Sequence, residues 1–248
     1  MHKIAIAIAV ILMVLVAVLP ASAQTSFQKW DMYAGYSYLN TPTNDIAQHG
    51  FNLSFGRNIN KWLALGMDFS RHEGTGAQNA TGTDMVARLP STIVAGLPAS
   101  LAPALPGIKL NVPVNASSAT FAAGTQFQVR KNKWVTPFFR PFLGAFHGRA
   151  EGKASQITVT ALPAGLPPQT VAAVIASIPA DVLQKSLTQS ETSLGYGVGG
   201  GMDLNVSKPI GIRVAADYIR TGLFDTHQNN VRVAFGLIYR FGGEVKSK

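Results

Sequence analysis

The chain has 248 residues, with 21 Lys and Arg against 12 Asp and Glu, a formal charge of +9 and no cysteine. The lack of cysteine excludes both a disulfide framework and a lipidated cysteine anchor. A basic balance can mark a nucleic-acid or anionic-membrane partner, and the N-terminus decides between them.

His2 and Lys3, the apolar run from Ile4 to Leu19, and the small residues Ala21-Ser22-Ala23 have the three parts of a secretory signal. Cleavage is predicted after Ala23, leaving 24–248 as one domain with a net charge of +8, since only Lys3 is removed. Export argues against nucleic acid as a partner. Past residue 23 no stretch approaches the roughly 18 apolar residues of a spanning helix, so any membrane crossing is made by strands.

Eight strands are predicted at 30–39, 48–57, 62–71, 118–130, 135–147, 191–206, 210–221 and 230–241, each near or above the roughly 9 to 11 residues that a tilted strand needs to span a bilayer. The evidence is period-two alternation. Leu194, Tyr196, Val198, Met202 and Leu204 alternate with Gly195, Gly197, Gly199, Gly201 and Asp203. Ile210, Ile212, Val214, Ala216 and Tyr218 alternate with Gly211, Arg213, Ala215 and Asp217. In the last strand Val231, Val233, Phe235, Leu237, Tyr239 and Phe241 share a face, opposite Arg232, Ala234, Gly236, Ile238 and Arg240.

The connections alternate in length. The links 58–61, 131–134 and 207–209 are tight, 40–47 and 222–229 intermediate, and 73–117 and 151–190 long. This is the asymmetry of outer-membrane barrels, with short periplasmic turns and long extracellular loops. Trp30, Trp62 and Trp134 all fall at predicted periplasmic strand starts, level with Tyr239 and Phe241, as an interfacial aromatic girdle would.

Alternation alone leaves open which face points inward, and a soluble exported lipocalin-like barrel would enclose its apolar face around a ligand. The strand charges Asp31, Asp68, Arg140, Asp203, Arg213, Asp217, Arg232 and Arg240 all lie opposite the aliphatic face. On a lipid-facing surface each Arg would cost about 2 to 4 kcal/mol near the midplane. The charged, glycine-rich face is therefore placed inward, giving an all-β, eight-stranded antiparallel up-and-down transmembrane barrel with two long extracellular loops.

Gly236-Leu237-Ile238-Tyr239-Arg240-Phe241 resembles the C-terminal assembly signal of outer-membrane barrels. With Met32-Tyr33-Ala34-Gly35-Tyr36-Ser37-Tyr38 it makes the chain similar to the small OmpA- and OmpW-type barrels. The resemblance implies residence in the outer membrane, lipid and lipopolysaccharide as surroundings, and recognition by the barrel assembly machinery through Gly236, Tyr239 and Phe241. Ala234, where that signal usually has a polar residue, and the extension from Gly242 to Lys248 depart from the pattern.

Four acids and four arginines in one narrow lumen predict a charge network that holds the barrel shut; a gated pore for small or apolar solutes is the alternative. His72-Glu73 and His147 with Glu151 are the only base–acid pairs of interest, and no serine stands at lipase spacing, so no enzymatic activity is expected. Nucleotide loops and His-x-x-x-His spacing are absent, and no cofactor is expected. His49, His72, His147 and His227 all fall at the predicted extracellular rim near Glu73 and Asp225, which makes them candidate zinc or copper ligands. The loops 73–117 and 151–190 are apolar and punctuated by proline, with Val171, Val174, Ile175, Ile178 and Val182 at the spacing of a short helix interrupted at Pro179. They are expected to pack on each other as a lid or to meet a surface partner.

Overall fold

In the computed structural model, which describes residues 26–42, 46–224 and 226–246, alternating segments of the chain pair into a closed ring. Residues 1–23, expected to be a signal segment, and Asp225 lie outside the described residues. The strands are β1 (Ser26–Thr41), β2 (Ile46–Asn58), β3 (Leu63–Thr81), β4 (Lys109–Gln128), β5 (Val135–Gly152), β6 (Thr158–Ala161), β7 (Thr188–Asn205), β8 (Ile210–Thr221) and β9 (Gln228–Lys246). Eight of them form the barrel: each pairs antiparallel with the next, β5 with β7, and β9 closes on β1. The short β6 stands outside that ring count, beside the end of β4.

The outward face is apolar and open: Leu143 is 69 % exposed, Leu194 83 % and Leu237 62 %. A water-soluble barrel would bury these side chains, so the lipocalin-like alternative fails on their direction. On β8 the apolar outward residues run from Ile210 to Tyr218, and on β5 from Val135 to Ala145. Tilted strands of that length make a band on the order of 25 Å tall, the hydrocarbon thickness of an outer membrane. No helix among the described residues is long and apolar enough to cross a membrane; the strands make the crossing.

The band ends sharply at one rim. Phe69, Phe121, Ala145 and Leu194 stand opposite one another across β3, β4, β5 and β7, and one outward step further stand Arg71, Ala119, His147 and Thr192. At the other rim the turns are tight, and two are built alike. In Asn60-Lys61-Trp62 and Asn132-Lys133-Trp134 the Asn Oδ1 accepts the Trp backbone N–H at 2.9 and 2.8 Å. Such a turn sets the tryptophan immediately before the strand.

Half of the barrel is taller than predicted. β3 continues to Thr81 and β4 begins at Lys109, paired throughout from Leu63↔Phe127 to Thr81↔Lys109. Residues 73–81 and 109–117, expected in a loop, are therefore strand. Likewise β5 reaches Gly152 and β7 starts at Thr188. The reason is a reversal of polarity along one strand. Within the membrane the inward positions of β4 are Thr120, Ala122 and Gly124, and Phe121 and Phe127 point out. Above it the inward positions are Ala116, Val114, Val112 and Leu110, all buried, and Lys109 and Asn111 point out.

This apolar inner wall is covered by the loops. The first carries α1 (Gly82–Ala87), α2 (Ser91–Ala95) and a 3₁₀ segment (Ala99–Gly107); the second carries α3 (Pro168–Ser177) and α4 (Ala180–Ser186), separated by Pro179, which begins α4 as its N-cap. Met85, Leu89, Val171, Ile178, Leu183 and Leu187 pack with Leu110, Val112 and Val114 into one hydrophobic core. The two loops thus pack on each other and on the lumenal side of the raised wall, as a lobe overhanging the mouth. At the opposite end β9 extends past Phe241. It accommodates Gly242 and Gly243, both at positive φ, through a register shift against β1 and then pairs with Ser26 to Gln28.

Candidate functional site

The lumen is crossed by two tiers of charge. In the upper tier Asp217 on β8 accepts from Arg140 Nε and Nη2 on β5 at 2.9 and 2.6 Å and from Arg232 Nε on β9 at 2.9 Å. Asp68 on β3 accepts from Arg232 Nη1 at 2.8 Å, Arg140 Nη1 at 3.3 Å and Asn52 Nδ2 at 2.9 Å. In the lower tier Asp203 on β7 takes Arg213 Nε at 2.6 Å, Arg213 Nη2 at 3.0 Å and Arg240 Nη2 at 2.8 Å, and Asp31 lies 3.8 Å from Arg240. All eight side chains are buried. The upper tier ties four strands across the bore, which no backbone ladder can do.

Glycine and phenylalanine make room for it. Phe138, Phe142 and Phe146 on β5 point inward, where a Cβ on Gly201, Gly197 or Gly195 of β7 would run into their rings. At Gly199 a Cβ would collide with the Asp217 carboxylate. Three of these glycines thus give room to rings and Gly199 to a carboxylate. Those rings then face the guanidiniums, with Arg213 lying 4.5 Å from the Phe138 centroid and Arg140 5.7 Å from that of Phe142.

Above Arg232 the lumen widens. A neck of about 60 Å³ opens into a vestibule of about 990 Å³ between the lobe and the β8–β9 connection. Between Arg232 at its floor and His147 and Arg149 on its wall, the neck is lined by His72 and the neutral groups Gln48, Ser118, Thr221, Gln228 and Asn230, beside Phe146 and Leu223.

The four histidines do not gather. His72 shares the inward parity of Asp68 and Ser70, is fully buried and is 2.8 Å from Ser37 Oγ through Nε2. His49 and His147 sit at outward positions. The His49 ring lies 5.2 Å from that of Tyr38 and meets the Tyr36 hydroxyl, and His147 lies between Thr192 Oγ1 at 2.8 Å and Ser190 Oγ at 3.3 Å. His227 is exposed beyond β8. Equal height along the strands is not convergence, because side chains one residue apart in register face opposite sides. Among the described residues no group of three potential ligands could hold a metal ion. The base–acid pairs separate for the same reason: His72 points in and Glu73 out, while Glu151 is engaged by Arg149.

At the tight-turn rim Trp30 stacks on Phe55 at 5.1 Å, Trp62 on Phe127 at 6.0 Å, and Tyr239 on Phe241 at 5.7 Å. Trp134 is exposed beside Lys133, whose ammonium lies 5.2 Å from its ring. Gly236 faces Gly35 across the β1–β9 seam, where a Cβ would strike the opposite backbone.

A closed ring of strands with lipid-facing aliphatic residues, inward charges and one-sided long loops defines an integral outer-membrane β-barrel. Residues 9–241 match the outer membrane protein beta-barrel domain, and the chain belongs to that family. It resides in the bacterial outer membrane. Comparison with curated proteins gives no significant match. Among solved structures it is similar to Ail, the attachment invasion locus protein of Yersinia pestis, in complex with the heparin analogue sucrose octasulfate: 16% identity, 86% of this chain and 99% of that one, TM-score 0.44. Neisserial surface protein A aligns at 13% identity over 89% of this chain and 99% of that one, TM-score 0.44. OprG from Pseudomonas aeruginosa aligns at 10% identity over 91% and 100%, TM-score 0.43.

Proposed function

We propose that the protein acts at the cell surface through its folded loop lobe, and that the barrel is a sealed anchor rather than a channel or an enzyme. The observation that carries this reading is the lobe's own hydrophobic core, built from both loops on the raised β3–β4–β5 wall. Loops that merely closed strands would need neither that core nor strands extended ten residues past Arg71. On this reading the long-loop end is extracellular, the tryptophan rim sits at the periplasmic interface, and Gly236, Tyr239 and Phe241 are presented to the assembly machinery. The hydroxyl–histidine contacts at His147 lack an orienting carboxylate, since Thr192 occupies that place, so the ring is a poor base for nucleophile activation.

The surface between Leu89 and Ile108, and again from Ala154 to Ala180, carries no charged residue. An uncharged tip with small residues suits contact with another macromolecule better than with a lipid phosphate layer. Replacing 82–108 and 154–186 with short turns tests the reading. The truncated barrel is expected to assemble and shift on boiling in a gel while cells lose surface attachment. Failure to assemble, or attachment unchanged, would overturn it.

A further inference from the structure

We propose that the funnel above Arg232 is a binding site for an uncharged, hydroxyl-rich small molecule, a sugar or polyol, distinct from the macromolecular contact assigned to the lobe tip. Two buried neutral groups in the neck lack hydrogen-bond partners, as does Nη2 of Arg232 at the floor, whose charge is met by Asp217 at 2.9 Å. His72, fully buried, leaves Nδ1 unbonded, and Asn230, 6 % exposed, leaves Oδ1 unbonded; both residues line the neck. Orphaned buried polar atoms are costly and call for an occupant. The neck has room for roughly four waters at about 15 Å³ each, or for one end of a larger molecule seated in the vestibule.

The chemistry of the walls selects that molecule. Gln48, Gln228, Asn230, Ser118 and Thr221 offer donors and acceptors without net charge, and Phe146 offers an apolar face. A hydroxyl both donates and accepts, so it satisfies His72 Nδ1 in either tautomer and Asn230 Oδ1 as well.

The charged groups on these walls already hold hydrogen-bond or ion-pair partners, Arg149 on Glu151 among them. At the floor Arg232 is held by Asp68 and Asp217. In the vestibule Asp84 is bonded to Thr81, Glu191 accepts the Phe224 backbone N–H, and the Gln189 amide, turned oxygen-first, accepts from Arg88 at 3.0 and 3.2 Å. An ion would have to break one of these contacts. A purely apolar ligand would leave both orphans unbonded. The vestibule, at about 990 Å³, lies at the upper end of the roughly 300 to 1,000 Å³ range of ligand pockets.

The test is ring-selective histidine NMR on the full chain in phospholipid nanodiscs, titrated separately with sucrose, glucose 6-phosphate and toluene to about 10 mM, a range that reads millimolar affinity. Sucrose is expected to shift the His72 ring signals and the other two probes are not. Asn230→Ala is expected to weaken sucrose binding roughly 3- to 10-fold, the loss of one neutral hydrogen bond. Gln228→Leu, at the neck's upper edge, carries the same expectation should the first variant fail to assemble, and boiling-induced gel shifts establish assembly. No sucrose shift, meaning a neck that holds water only, overturns the proposal. So does tighter binding of the phosphate or of toluene, or unchanged affinity in an assembled variant.

Discussion

Replacing Asp217 with leucine leaves Arg140 and Arg232 facing one carboxylate, Asp68, in a bore from which water is largely excluded. Asp217 accepts three charge-assisted bonds from those two arginines, at about 1.5 to 3 kcal/mol each. Part of that is recovered, because Asp68 already lies 3.3 Å from Arg140 and 2.8 Å from Arg232. The remaining penalty is that of one unpaired buried cation, about 3 to 5 kcal/mol. Urea unfolding of the protein reconstituted in lipid, followed by tryptophan fluorescence and gel mobility, reads it directly. The informative partner is Asp217→Leu with Arg232→Met, which leaves one arginine on one aspartate. That double variant is expected to be more stable than Asp217→Leu alone, with a coupling of about 2 kcal/mol or more. Additive losses, or a single-variant cost below about 1 kcal/mol, would refute the view that charge balance governs the lumen.

Three further substitutions, one of them a control, probe the packing. Leu110→Asp places a carboxylate in the lobe core, where Leu110 is 2 % exposed. The lobe is expected to become protease-sensitive while the barrel keeps its heat-modifiable mobility, and a barrel that fails to assemble would show that the two parts fold as one. Gly199→Val drives a side chain into the Asp217 carboxylate. It is expected to reduce stability by an amount similar to Asp217→Leu, whereas Gly222→Val, at a site with open space, is expected to cost little; equal effects would contradict the account.

The membrane part of the fold was legible because lipid and lumen enforce opposite chemistries on alternate residues. Ile212, Val214 and Ala216 on one side and Arg213, Ala215 and Asp217 on the other leave one register and one direction. The raised wall was missed for the same reason. From Ala116 to Leu110 the apolar residues keep the inward parity of Thr120 and Gly124, so a search for outward apolar positions stops at 118. Continuous aliphatic alternation through Leu110, Val112 and Val114 was the available signal.

The repeated Asn-Lys-Trp at 60–62 and 132–134 was a second unused signal, since the asparagine that caps each turn is as regular as the tryptophan. The histidine rim failed on parity: 72 is even like Asp68, and 147 is odd like Leu143. The neck was beyond reach, because Gln48, His72 and Asn230 come from three strands brought together only by closure of the ring.

The claim that the barrel is sealed is tested most directly by single-channel recording of the purified protein in planar bilayers. The two charge tiers predict no conductance steps across neutral pH and moderate voltage, and steps appearing when Asp217 is replaced. Sustained, reproducible steps from the unaltered protein would contradict the account and make the funnel the mouth of a pore.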